Sequence, residues 1–253
     1  MKILVSITGL ILLLYLSAAL FLFLIQRSFI YHPTPFVAHD FTEKIVGAGD
    51  GAALRLIVGN EGLSEAVIYF GGNSESVADS AGDYIESLPD KTVYLVNYRG
   101  YGGSGGRPTE ENLFNDATVI FDTVSKNHST VSVIGRSLGS GVACWLASKR
   151  PVDKLVLVTP YDSILSIAKA GYRIFPVEFL LKDQFKSIDY AATIKSPVLA
   201  LLAQHDVVIP AENSRRLIEA FIPAAEAVVL SGTSHNDLQL NPEYYPLIRG
   251  FLN

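Results

Sequence analysis

The chain has 253 residues, 49% of them hydrophobic and 18% charged, a composition that excludes intrinsic disorder and supplies ample apolar mass for a core. Its 20 basic and 25 acidic residues give a formal net charge of −5, without the basic surplus that a phosphate backbone requires, so nucleic acid is excluded as a partner. A single cysteine, Cys144, rules out an internal disulfide and a cysteine-built metal site, and reads as a small buried helix residue.

Residues 3–26 carry no charge. As a helix rising about 1.5 Å per residue they reach about 36 Å, enough to cross a bilayer. Ser17-Ala18-Ala19 offers small residues at the spacing of a cleavage site, so a cleaved signal peptide is the alternative, but residues 20–25 continue the apolar run past it. The reading is an uncleaved single-pass membrane anchor over residues 1–27, followed by one domain over residues 28–253. Without Lys2 and Arg27 the body holds 18 basic and 25 acidic residues, net −7, so charge does not hold it to anionic lipid. Lys2 and the α-amino group against Arg27 bias the N-terminus to the cytoplasm by one charge and the body to the non-cytoplasmic side.

From Phe41 onward, short β-branched and aromatic runs alternate with segments of helical period, the pattern of a mostly parallel sheet with crossover helices. Strands are predicted at 43–46, 54–58, 66–70, 92–97, 131–134, 154–158, 198–202 and 227–230, and helices at 77–87, 110–126, 138–149, 211–221 and 244–251. Pro108-Thr109 marks the start of the second of these helices, and Glu110-Glu111 suits its positive end. Asp50-Gly51 suits a tight hairpin, so the sheet begins antiparallel and then turns parallel. Residues 163–190 leave room for a short apolar cap, in which Phe175, Phe179, Leu180 and Leu181 pack on the sheet, line an acyl groove or dip into lipid.

The most informative string runs from Val131 through Gly135-Arg136-Ser137-Leu138-Gly139: an apolar strand, Gly-x-Ser-x-Gly, then a small-residue helix start. This is the pattern of a nucleophile elbow, whose turn pushes the serine hydroxyl outward while the flanking glycines remove side chains that would collide with strand and helix. A serine hydroxyl needs a base to take its proton and a carboxylate to hold the base's tautomer. His235 lies in the loop after the last predicted strand and Asp206 in the loop after the preceding one, in the order Ser, Asp, His that such a sheet requires. Asp162, after another strand, is the alternative acid. His205 precedes the acid and is assigned to shaping its loop. Asp237 reads as a loop acceptor, and His32, His39 and His128 as ordinary exposed histidines.

A tetrahedral intermediate needs two N–H donors. Leu138 follows the nucleophile, and Asn73 lies in the loop Gly71-Gly72-Asn73-Ser74 after an earlier strand. Gly71 and Gly72, which let the backbone approach a substrate, and Arg136 beside the nucleophile are assigned to substrate binding. The glycine-dense segment 98–106 matches neither a P-loop nor a dinucleotide fingerprint and reads as a tight loop lining the pocket.

With these elements the sequence resembles the α/β-hydrolase superfamily, and within it the membrane-anchored Bem46/ABHD-like serine hydrolases. Beyond the elbow, the likeness rests on Phe29-Ile30-Tyr31-His32-Pro33, Tyr98-Arg99-Gly100-Tyr101-Gly102 with Arg107-Pro108-Thr109-Glu110, and Thr159-Pro160-Tyr161-Asp162-Ser163. It implies Ser137 as nucleophile, His235 as general base and acid, Asp206 as its partner, and Asn73 with Leu138 as oxyanion donors. Gly71 departs from the histidine usual in the oxyanion loop, and Asn97 from a common aspartate. The expected fold is α/β, an α/β-hydrolase sheet of about eight mostly parallel strands with helices on both faces. The expected function is two-step acyl transfer on an ester or thioester of a small-molecule or lipid-like acyl substrate, requiring no metal or organic cofactor. A serine peptidase of the same fold is the alternative, and a non-catalytic membrane-bound binding protein the third class.

Overall fold

The computed structural model describes residues 2–253. A long helix α1 (Lys2–Ile30) is followed by β1 (Thr42–Gly47), β2 (Ala53–Gly59), β3 (Glu65–Phe70), α2 (Val77–Ser87), β4 (Thr92–Val96), α3 (Glu110–Val124), β5 (Thr130–Arg136), α4 (Leu138–Lys149) and β6 (Leu155–Val158). After β6 come α5 (Ile164–Gly171), α6 (Val177–Leu180), α7 (Ile188–Ala191), β7 (Val198–Ala203), α8 (Ala211–Ala220), β8 (Glu226–Leu230) and α9 (Tyr244–Leu252). One sheet takes all eight strands in the order β1-β2-β4-β3-β5-β6-β7-β8. β1 pairs antiparallel with β2 and β2 with β4, and every later pairing is parallel. The Asp50-Gly51 turn closes the first hairpin as expected, with Gly51 at φ 86°.

Residues alternate across the strands, so β3 sends Ile68 and Phe70 into a core on one face and Val67 and Tyr69 into a core on the other. That two-sided burial is why β3, β5 and β6 read as nearly continuous apolar runs. The Thr109 hydroxyl caps α3 by accepting from the Asn112 amide at 3.1 Å, a contact worth about 1 kcal/mol. The α-helix ends at Val124, two residues short of the expected end, and a 3₁₀ turn over Ser125–Asn127 completes it. Ser163 caps α5 in the same way, through the Ser166 amide.

In α1, residues 6–30 are long and apolar enough to cross a membrane, and its most apolar stretch is not buried. From Tyr15 onward it nevertheless docks on the segment after β6. Tyr15 donates its hydroxyl to the Ile174 carbonyl, Arg27 pairs with buried Asp183 at 2.8 Å, and Ile30 and Tyr31 enter the core. The helix therefore runs on through Arg27 into the body without a break.

Candidate active site

The parallel strands deliver their C-terminal loops to one edge of the sheet. At the end of β5 the chain reverses into α4 through Ser137, which sits at φ 49° and ψ −116°, a conformation strained for any residue with a side chain. The flanking glycines are required there. A Cβ on Gly135 would collide with the Gly139 carbonyl and Ala143, and one on Gly139 with the carbonyls of Phe70 and Gly71. The elbow thus exists because helix, strand and neighbouring strand end approach more closely than any side chain permits.

The structure brings together three of the residues picked out from sequence. His235 Nε2 lies 2.9 Å from Ser137 Oγ, and His235 Nδ1 lies 2.8 Å from Asp206 Oδ2. Both the imidazole and the carboxylate are more than nine-tenths buried. The other oxygen of Asp206 accepts from the amides of Val208 and Ile209 at 2.9 and 2.8 Å. Burial opposes ionisation of Asp206, but the His235 ring and these two amides outweigh it and hold the carboxyl below the usual carboxylate range. With Asp206 ionised, Nδ1 carries the proton and Nε2 is left to accept from the serine hydroxyl.

Asp162 does not share this contact. It accepts from Asn213 at 2.7 Å and from Arg216 Nε at 2.8 Å, fastening α8 to the loop after β6. Asp237 accepts from the Ser234 amide and hydroxyl within its own loop. His205 is exposed and bonds through its amide to Thr233. His128 differs from the sequence reading, because its two ring nitrogens meet Tyr94 and the Leu63 carbonyl and it is half-buried. His39 is likewise half-buried, packed between Phe36 and Phe41. His32 is exposed.

Opposite the serine stands the loop after β3. A Cβ on Gly72 would come within 3.9 Å of Ser137 Cβ, so the loop crosses directly beside Ser137. Among the described residues, the amides of Asn73 and Leu138 donate to no other protein group. The carbonyls of the loop are engaged instead: Gly71 accepts from Tyr98 at 2.9 Å, and Asn73 accepts from Tyr101 at 2.7 Å and from the His32 amide at 3.0 Å. The glycine-dense segment therefore braces this loop through two tyrosine hydroxyls. Gly102, at φ 51°, turns tightly against Asn97.

Glu75 was not singled out from sequence. Its carboxylate accepts from the Gly72 amide (2.8 Å), the Tyr69 hydroxyl (2.8 Å) and the Ser80 hydroxyl (2.8 Å), and faces Arg136 Nη1 at 3.4 Å. Burial, reinforced by the Glu75 charge, pushes the Tyr69 phenol far above its ordinary value, so it stays a donor. Arg136 also reaches the Asn236 carbonyl at 3.5 Å, and so bridges the loop after β3 to the loop carrying His235. The signal for Glu75 was present as a carboxylate three residues after Gly72, the spacing of a turn that closes on itself. Among the described residues no cluster of His, Cys, Asp or Glu could hold a metal ion.

Such an arrangement can draw a proton from a half-buried serine hydroxyl beside two uncommitted main-chain N–H groups. A family model described as alpha/beta hydrolase fold matches residues 65–176. An uncharacterized protein of Mycobacterium tuberculosis is 37% identical over 153 residues, covering 59% of this chain and 54% of that protein. Alpha/beta hydrolase domain-containing protein aho-3 of Caenorhabditis elegans is 28% identical, covering 64% of this chain and 48% of its own. Alpha/beta hydrolase domain-containing protein 17C of Mus musculus is 26% identical, covering 74% and 59%. The chain spans about half the length of these curated relatives. Among solved structures, an esterase of Pyrococcus furiosus superposes with a TM-score of 0.70 at 19% identity, covering 87% of this chain and 98% of its own. Est1E of Butyrivibrio proteoclasticus, solved with ferulic acid, gives 0.69 at 18% identity, covering 83% and 97%. Together with the sheet order and the elbow, these matches identify the chain as an α/β-hydrolase-fold protein whose distant homologues include the α/β-hydrolase domain-containing proteins 17C and aho-3.

Proposed function

We propose that the protein is a membrane-anchored serine hydrolase that cleaves acyl esters or thioesters. The observation that carries this reading is the continuous hydrogen-bonded line from Ser137 Oγ through His235 to Asp206, at 2.9 and 2.8 Å. Ser137 attacks the substrate carbonyl as His235 Nε2 accepts its proton, and the imidazolium that forms is stabilised by the ionised Asp206. The oxyanion rests on the amides of Asn73 and Leu138. His235 then returns the proton to the leaving alcohol or thiol, and water repeats the cycle on the acyl-enzyme with the same groups. An ester or thioester of a lipid-like acyl group is favoured over a soluble peptide because the domain follows a helix apolar enough to cross a membrane, and that helix packs against an apolar segment after β6. Residues 1–27 serve as the anchor, and the domain over 28–253, with its cap near 163–190, carries the site on the non-cytoplasmic side.

The test is labelling of the full chain by a fluorophosphonate probe, followed by turnover of a panel of acyl esters, thioesters and peptides. Labelling is expected in the wild type and in Ser148→Ala, on the same helix, and lost in Ser137→Ala. Equal labelling of both variants refutes the assignment, and amide cleavage at an efficiency comparable with esters makes the protein a peptidase instead.

A further inference from the structure

From its middle onward α1 is not a free rod. Tyr15, Ala19, Leu22, Gln26 and Ile30, at the three- and four-residue spacing of a helix face, are at least partly covered. Leu16, Leu20, Phe21 and Leu24 between them are exposed, so one face of the helix is docked and the other is apolar and open. The docked face lies against a hairpin made by α5, the turn after it and α6. Leu22 and Phe23 share a cavity with Ile167, Val177 and Leu181 of that hairpin. Its base is held at Gln26, whose Nε2 donates to the Leu180 carbonyl at 3.1 Å and whose Oε1 accepts from the Lys182 amide at 2.6 Å. Its tip is held at Tyr15, which donates to the Ile174 carbonyl at 2.8 Å and stacks on Phe175 with ring centroids 5.3 Å apart. Gln26 and Tyr15 are about 16 Å apart along the helix axis, and the hairpin reaches that far down α1.

This reach decides what surrounds the tip. The uncharged stretch of α1 begins after Lys2. Residues 3–14, which lie beyond the tip, rise only about 18 Å against a hydrocarbon core of about 30 Å. A helix that crosses needs about 12 Å more, and takes it from the docked residues up to about Leu22, which carry the hairpin on their side. The side chains agree with that level. Ile174 and Phe179 are 74% and 86% exposed, a cost in water that disappears in lipid. Fixed charges begin just above it, where Lys182 Nζ lies 4.2 Å from the centroid of the Phe23 ring and Arg27 pairs with Asp183. Nearer the tip, Lys169 and Glu178 neutralise each other at 3.0 Å, and the Arg173 stem is long enough to carry its head back to the surface. The body as a whole is acidic, yet residues 164–182 carry Lys169, Arg173 and Lys182 against Glu178 alone, the sign that suits a layer of anionic headgroups.

We propose that the tip of this hairpin, residues 172–179, enters the same lipid leaflet as the adjoining part of α1, so that the body meets the bilayer through two adjacent elements. The proposal rests on the reading of α1 as an uncleaved anchor. Its consequence is orientation. The hairpin springs from the end of β6, and α1 passes into His32, whose amide bonds the Asn73 carbonyl. Both elements thus leave from the sheet edge that carries Ser137, and that edge is turned toward the bilayer.

The chain's single cysteine, Cys144, is fully buried, so a cysteine placed on the surface is the one a thiol reagent meets, and the unsubstituted chain is the blank. Four exposed positions are substituted singly and labelled with nitrobenzoxadiazole: Ile174→Cys and Phe179→Cys at the tip, Leu16→Cys on the open face of α1, and Glu61→Cys at the opposite edge of the sheet. The full chain is reconstituted in phosphatidylcholine vesicles containing a minority of phosphatidylglycerol, with iodide on both sides of the membrane or with lipid carrying a doxyl quencher on its acyl chain. Probes at 174 and 179 are expected to shift their emission to the blue, to be quenched by doxyl lipid as the probe at 16 is, and to be protected from iodide. The probe at 61 should show the reverse. Quenching at 174 and 179 by iodide and not by doxyl lipid, with the probe at 16 in lipid, overturns the proposal and leaves the anchor standing. Protection of 174 and 179 from both quenchers means that protein, such as a second copy of this chain, covers the tip, and overturns it as well. A probe at 16 that is quenched by iodide alone overturns the anchor reading and the proposal with it.

Discussion

Glu75 ties the loop beside Ser137 to the residue that precedes it in the elbow, and its removal has two separable consequences. In Glu75→Ala the Gly72 amide and the fully buried Tyr69 hydroxyl lose their acceptor, at about 1–3 kcal/mol for each orphaned group. Arg136, whose side chain is 14% exposed, also loses its carboxylate, and breaking a largely buried pair costs about 3–5 kcal/mol. These contributions overlap because one carboxylate serves all three, so the expected loss of stability is about 3–5 kcal/mol. Glu75→Gln keeps one acceptor oxygen in place and should cost only about 1–2 kcal/mol, the difference between a charged and a neutral acceptor. The effect on catalysis follows from position. Gly72 precedes the Asn73 amide, the oxyanion donor of the function proposed above, and such a donor acts chiefly in the transition state, where losing one outright costs about 10²–10³ in rate. A loop released but still braced by Tyr98 and Tyr101 should lower kcat by about 10–100-fold with KM little changed, and the glutamine should restore most of that. Urea titration gives the stability, and steady-state kinetics on p-nitrophenyl acetate give kcat and KM. A Glu75→Ala protein with the predicted instability but a wild-type kcat per folded molecule would refute the positioning role.

Gly139→Ala tests the elbow itself. The added methyl meets the carbonyls of Phe70 and Gly71, which are backbone and cannot turn aside, so the variant should lose several kcal/mol, about the 1–3 of overpacking or more. A melting temperature within a few degrees of wild type would contradict the packing argument. Asp206→Asn and Asp162→Asn separate the two carboxylates: the first should cut kcat by about 10³–10⁴-fold, by analogy with the known serine protease case. The second should weaken the α8 attachment through Asn213 and Arg216 while sparing kcat per folded molecule, and the reverse pattern would transfer the acid role to Asp162. Because Asp206 is held below its ordinary value in the fold, its contribution to stability is present above about pH 4 and lost as pH falls through the lowered folded value. The melting temperature of Asp206→Asn should therefore decline less steeply on acidification than that of the wild type, and parallel acid limbs would disprove the linkage.

The eight strands were legible because each is short, apolar and bounded by turn residues, and the helix starts because Thr109 and the Gly-x-Ser-x-Gly turn announce them locally. The hairpin at Asp50-Gly51 was legible for the same reason. The half-buried state of His128 was not, since it depends on Tyr94 and Leu63, 34 and 65 residues away. Nothing in the composition of residues 127–129 distinguishes a histidine wedged against a strand end from one in solvent. Glu75 escaped notice on similar grounds. An acidic residue before a helix normally reads as a favourable charge near the N-terminus, and its burial is fixed by Tyr69, Ser80 and Arg136 arriving from three different elements.

Long-range contacts of this kind also join the apolar N-terminal helix to the candidate active site. Ile30 closes α1 in the core, and two residues later the His32 amide shares the Asn73 carbonyl with Tyr101. The carbonyl and the amide of Asn73 belong to one short loop, so the bonds that fix the first restrict where the second can point. A tilt of α1 pulls on His32 directly, because no flexible linker lies between them to absorb it. On the function proposed above, the helix is therefore placed to set the geometry of the loop that offers the Asn73 amide as well as to tether the body, whereas a tether joined through a glycine- or serine-rich spacer could do only the latter.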